Sequence, residues 1–390
     1  MPVQKTQGTR NSSFELLRII AMFMILSFHL IHQNEFALKS MSFPIKQFVL
    51  LLFSCMGTVG VVIFFGISAW FLCTRIQSGT GFVRSSFKRI WLLERTVLFY
   101  SLIIAAAFYL YDSTLVNRGL ILFSFTPTLL GRWWYVTAYV VFLIFYPFIT
   151  IGLRKMGQNM HGALCLCFMV GCGLLYGLTP FWVLDFIPYS FMGFIYIYVL
   201  IAYYRWYMPE FKAKTGWWMI AIGSITLISS IVALAVLYVH TGKQWFLEHE
   251  LYLDDPFKLP VVVIGLGILL VASRIQFASK PINFIAKTTF GVYLIHQHPL
   301  FRNLLKQVSP VARVYERPFA IFYVISILIT IFAICSVLDM LRIMLFRITI
   351  DRHKGAWFDK LTLWISNRPL WNRMVTYFTP QIDNSSNRYD

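Results

Sequence analysis

Long apolar stretches broken by short polar segments dominate this chain. A membrane-spanning helix needs about 20 mostly apolar residues. Ten stretches approach or exceed that length: 14–33, 47–73, 91–111, 134–152, 162–180, 186–204, 217–239, 257–273, 283–301 and 319–346. Another apolar run, 115–130, is short and interrupted by Pro127 and Gly131, so a re-entrant or interfacial piece is expected there. The first stretch has Glu15 and Arg18 inside its start and no small-residue cleavage site, which predicts a retained helix rather than a cleaved signal. The expected fold class is an all-α polytopic membrane protein with about ten transmembrane helices.

Composition agrees with the pattern. Hydrophobic residues make up 58% of the 390 and charged residues only 13%, with a mean hydropathy of +0.68. A soluble chain cannot hide that much apolar surface, and a disordered one does not carry it. The formal net charge is +18. In a soluble protein this excess would suggest a nucleic-acid partner. Here the basic residues sit mainly between apolar stretches, so membrane lipids are the expected partner and nucleic acid is not. With the N-terminus inside, inner segments hold more than twice as many Lys and Arg as outer ones, so both termini are expected in the cytoplasm. The loop 240–256, with Glu248, Glu250, Asp254 and Asp255, then lies outside. The predicted domains are a transmembrane part, 1–346, and a basic, aromatic tail, 347–390. The tail is expected to form an interfacial helix and to end in disorder. Six cysteines lie in or beside apolar segments at spacings that suggest neither disulfides nor a zinc site.

An ionisable residue inside a membrane is a functional candidate by default. In the first helix, FELLRIIAMFMILSFHLIH, Arg18 and His29 are eleven residues apart. At 100° per residue they share one face, about 16 Å apart along the axis. The alternative is a snorkelling Arg18 and a merely packed His29. The second helix contains GTVGVVIFFGISAWF, whose Gly57, Gly60 and Gly66 permit close helix packing. Arg84, Lys88, Arg89 and Arg95 cluster in RSSFKRIWLLERT, as a membrane-edge anchor or as a phosphate site. GRWWYVTAYVVFLIFYP follows at 131–147, where Trp133, Trp134 and Tyr135 could be an aromatic belt. TTFGVYLIHQHPLF at 288–301 places His296 and His298 at i, i+2, a poor metal pair on a helix. No metal site, HExxH, Walker loop or GxSxG elbow is found.

This ordered set resembles acyltransferase family 3, polytopic membrane enzymes that O-acylate bacterial surface polysaccharides. The likeness rests on Arg18-x10-His29, on Phe64, Phe65, Ile67 and Ser68, on Lys88-Arg89-Ile90, on Trp134, Tyr135 and Pro147, and on Gly291, Tyr293, Leu294 and His296. It covers residues 14 to about 345. Ser86 and Leu92-Leu93 depart from the Arg and the proline pair common in the basic segment. Tyr139 stands where many members carry a glutamate, so no carboxylate is expected from that helix.

The resemblance implies an acetyl or other acyl group moved from cytoplasmic acetyl-CoA to a sugar hydroxyl of a lipid-linked or surface glycan, at the bacterial inner membrane. Acetyl-CoA is then a co-substrate and no cofactor is bound. Arg18, Lys88, Arg89 and Arg95 are the expected ligands of the CoA phosphates. His29 is the expected general base, with an acyl-histidine intermediate as the alternative. His296 could orient His29, bind the sugar or pack. Trp134, Tyr135, Tyr139 and Tyr293 are candidate acceptor or support residues. The competing class is a non-enzymatic membrane protein of polysaccharide export or a small-solute transporter, though no internal repeat supports the latter.

Overall fold

The computed structural model describes residues 11–33, 45–74, 80–178, 189–308, 317–353 and 355–368. The expected disordered end, with Trp371, Tyr377 and Phe378, lies outside the described residues, as does the start of the predicted 186–204 helix. Among the described residues all regular structure is helical. The helices are α1 (Ser13–Gln33), α2 (Ile45–Leu72), α3 (Thr80–Tyr111), α4 (Arg118–Phe125), α5 (Trp134–Phe168), α6 (Tyr176–Leu178), α7 (Phe191–Tyr207), α8 (Ala213–Thr241), α9 (Gln244–Glu248), α10 (Leu259–Arg274), α11 (Lys280–Ile285), α12 (Thr289–His296), α13 (Pro299–Val308), α14 (Ala320–Ile348) and α15 (Ala356–Ser366).

Six helical runs are long and apolar enough to cross a membrane: α1, α2, α3, Trp134–Leu178, α8 and α14; α10 is a shorter apolar helix. The protein is a multi-pass membrane protein. The predicted stretches 134–152 and 162–180 fall on one run. Gly157 splits it with φ 73° and ψ 177°, a left-handed conformation that glycine adopts without a Cβ penalty. A π-helical segment, Met169–Leu175, follows. The short 115–130 run contains α4, capped by the Asn117 side chain on the Leu120 N–H at 2.8 Å. The 283–301 stretch is not one rod. It is α11, a 3-10 turn, α12 and the start of α13.

Small residues set the closest helix contacts. A Cβ on Gly57 would fall 2.1 Å from the Phe28 Cβ, and one on Gly60 would fall 2.8 Å from the Ala21 carbonyl oxygen. These glycines therefore let α2 lie directly on α1, with van der Waals packing and no lipid between them. The start of α1 is tied to the end of α10: Ser12 N–H donates to the Phe277 carbonyl at 2.7 Å, and Ser13 Oγ donates to the Ala272 carbonyl at 2.9 Å. A buried aromatic cluster links α2, α5 and α7, with Phe65 stacked on Phe194 at 4.2 Å. Asp339 of α14 is fully buried and accepts from the Tyr100 hydroxyl at 2.6 Å.

The chain divides into compact units at 1–340 and 341–390. In the second, Trp357, Leu361 and Trp364 are all exposed. Their positions, i, i+4 and i+7, place them along one side of α15.

Candidate functional site

Two helices distant in sequence build the centre of the site. The α1 residue His29 and the α12 residue His296 meet with Nδ1 3.0 Å from Nε2. The remaining nitrogen of His296, Nδ1, lies 2.6 Å from the Val292 carbonyl oxygen, one helical turn back. A carbonyl only accepts, so His296 Nδ1 carries the proton and its Nε2 carries a lone pair. His29 Nδ1 must then donate to His296, which leaves the lone pair of His29 on Nε2. The chain Val292 C=O, His296, His29 thus defines a direction: a proton taken at His29 Nε2 gives an imidazolium already held at Nδ1.

His29 lines a pocket whose walls include Thr58, Phe64, Trp134, Tyr135, Tyr189 and Tyr293. The Tyr293 ring is 6.5 Å from His29 and 5.9 Å from Tyr135. Trp134 and Tyr189 meet edge to face at 5.0 Å. Met22 and Ile25 of α1 also line the pocket. The space therefore follows α1 from His29 toward Arg18 and reaches Met22, one turn away from it. Thr58 marks the opposite wall. Its hydroxyl bonds to the Asp254 carboxyl, which the loop before α10 folds over the helix. Burial pushes the Asp254 carboxyl up to about 6.

The expected donor-side cations are distributed unevenly. Arg18 is paired within its own helix to the buried carboxylate of Glu15 at 3.1 Å. It remains within electrostatic reach of Tyr135. Arg89 lies over the Tyr146 ring at 5.9 Å, and its Nη1 is buried with no hydrogen-bond partner. Tyr146 in turn donates to the Leu72 carbonyl at 2.8 Å. Lys88 and Arg95 are half-buried on the same helix. Arg95 is six residues beyond Arg89, which turns it about 240° around α3 and away from Arg89's face.

Tyr139 packs within the aromatic wall of α5. It stacks between Tyr135 at 6.2 Å and Phe142 at 6.3 Å. Tyr135, Tyr139, Phe142 and Tyr146 make an aromatic stripe on α5 that runs from the histidine pair to Arg89. Its ends are eleven residues apart, the same period as Arg18 and His29.

A family model described as an acyltransferase domain matches residues 11–339. The chain belongs to acyltransferase family 3. No curated protein and no solved structure matches it. The protein is therefore a membrane acyltransferase, and the reading as an export component or transporter gives way.

The family match begins two residues before α1 and ends at Asp339. That carboxylate explains a glycine of the acyltransferase signature. A Cβ on Gly291 would fall 2.1 Å from Asp339 Oδ1, so only glycine lets α12 close on α14 there. Several polar residues of this unit were given no role from sequence. Arg205 lies over Trp70 at 4.7 Å and Arg154 over Trp206 at 4.6 Å, and both lie within electrostatic reach of Cys73 beyond α2. Their only signal was their place in predicted inner segments. Thr58 and Asp254 carried no local motif. His298, two residues after His296, turns the other way and faces Trp133 at 5.9 Å.

Proposed function

We propose that this acyltransferase moves an acetyl group from cytoplasmic acetyl-CoA to a sugar hydroxyl of a cell-surface glycan, in the bacterial inner membrane. It does so with about ten helices and both termini inside. The observation that carries this reading is the directed chain from the Val292 carbonyl through His296 to the free Nε2 of His29, at the wall of a pocket that extends toward Arg18.

His29 Nε2 takes the proton of the acceptor hydroxyl as its oxygen attacks the thioester carbonyl. The C–S bond breaks, and the CoA thiolate leaves and receives that proton from His29. A base so placed contributes roughly 10²–10⁴-fold. His296 holds the tautomer, as an orienting partner does for catalytic histidines generally. Arg89, with an unpaired buried Nη1, and Arg18, Lys88 and Arg95 at the same end supply the charge for CoA phosphates. Arg18 does so while still bound to Glu15. Trp134, Tyr135 and Tyr293 offer aromatic faces to the acceptor ring, and Tyr139 supports Tyr135. Acetyl-CoA is consumed as a co-substrate.

The test uses purified protein in detergent with labelled acetyl-CoA and lipid-linked glycan. Wild type should transfer label, while His29→Ala and His29→Gln should not. Transfer by His29→Gln at equal protein level would make His29 a structural residue and end the proposal.

A further inference from the structure

Near the histidine pair lies a cluster of polar groups that the reaction above does not use. Trp133 is 1% exposed and His298 2% exposed. Trp133 Nε1, His298 Nδ1 and Arg132 Nε are all buried without a hydrogen-bond partner. Three such atoms in neighbouring side chains are unusual, because buried polar groups in native proteins are nearly always paired and each orphan costs stability. The other nitrogen of His298 is turned to the Ser101 backbone.

Among the described residues, the charged groups that bear on these atoms are arginines. Arg132 lies within electrostatic reach of His298, and Arg302 within reach of Arg132. Arg132 is held in place by its stacking over Phe123 at 4.6 Å. Arg302 follows His298 by one helical turn, its N–H bonded to the His298 carbonyl at 2.8 Å. Among the described residues, neither guanidinium forms an ion pair with a carboxylate. Two nearby arginines with no carboxylate paired to them among the described residues, next to an indole N–H without an acceptor, match what an oxyanion needs. Guanidinium forks and N–H groups donate to its oxygens, and the lone pair of His298 accepts from a hydroxyl beside it.

We propose that Arg132, Trp133, His298 and Arg302 form an oxyanion subsite, which seats a phosphate or carboxylate carried by the acceptor while its hydroxyl lies at His29. Arg302 is also within electrostatic reach of His29, which places the subsite near the base. Trp133 and Trp134, adjacent in sequence, divide the work. Trp134 lines the pocket and Trp133 faces the subsite. This assignment rests on reading the pocket as the acceptor site. It makes the enzyme selective for charged acceptors, either acidic sugars or glycans near a lipid phosphate.

The experiment measures binding without acetyl-CoA, so its outcome is separate from that of the His29 assay. Purified full-length protein in detergent is titrated with inorganic pyrophosphate and, in parallel, with glucuronate, and the thermal shift is read. At least one probe should stabilise wild type. In the double variant Arg132→Gln, Arg302→Gln its affinity should fall about tenfold or more, the loss expected when charged hydrogen bonds vanish. The double lysine variant, which keeps charge and loses the forks, should restore part of it. This variant also shows that the loss is not misfolding. Which probe responds tells phosphate from carboxylate. No binding by either probe, or equal binding in the glutamine double variant, would overturn the proposal.

Discussion

His29 Nδ1 stands 3.0 Å from His296 Nε2, and because the Val292 carbonyl fixes the proton on the other nitrogen of His296, His29 can only donate to it. In the proposed reaction His296 is thus a positioning residue rather than one that meets the substrate. Replacing it with Ala should lower kcat by roughly 10- to 100-fold, less than loss of the base itself. KM for acetyl-CoA should stay within about twofold, since no uniform binding is removed. A rise in KM with kcat intact would mean that His296 binds substrate instead.

Arg89 predicts a different split. Its Nη1 is buried and unpaired, so Arg89→Gln should raise KM for acetyl-CoA about tenfold or more. The deficit should be larger at low salt, where charge is less screened. Arg95→Gln, about 240° around the same helix, should have the smaller effect. Equal donor affinity in wild type and Arg89→Gln would remove Arg89 from the donor site.

Gly291 and Asp339 make a packing prediction. Gly291→Ala would drive a Cβ to 2.1 Å from the Asp339 carboxylate. The cost expected for such overpacking is about 1–3 kcal/mol. It would be read as a lower melting temperature and poorer recovery from the membrane. Adding Asp339→Ala should recover part of the loss by opening the space, although it also removes the Tyr100 hydrogen bond. If the two changes simply add, the clash is not the cause.

Asp254 gives a pH dependence. Its carboxyl is pushed up to about 6 by burial, so the native state holds the proton more tightly than the unfolded chain does. Its contribution to stability is therefore present at low pH and lost as pH rises from about 4 to about 6. The range is at most about 3 kcal/mol for a shift of about two units. Asp254→Asn removes this titration and should gain stability over wild type as pH rises through that window. A melting-temperature difference that is constant from pH 4 to pH 7 would show that Asp254 titrates normally.

Topology can be checked directly. Reporter fusions after residue 346 and in the 240–256 loop should report the cytoplasm and the opposite side, respectively. The same side for both would refute an arrangement with the two termini inside.

The sequence by itself determined the class of molecule, the family and one face of the site. Apolar length and low charge follow from the solvent a helix must cross, so they are local and readable. Arg18 and His29 fall on one stripe because the helical period is local too. Only the tertiary structure decided what those residues meet. His296 reaches His29 across 267 residues of chain, and its tautomer depends on a carbonyl of its own helix. The Glu15 partner of Arg18 was within sight in sequence, three residues away, yet its rotamer and burial were not. Asp254 comes to Thr58 only when the loop before α10 folds over α2, and Gly291 became legible only once Asp339 was seen against it. Periodicity says which way a side chain points from its own helix axis. Which helix stands opposite is set by packing of whole helix faces, a non-local property that no single segment encodes.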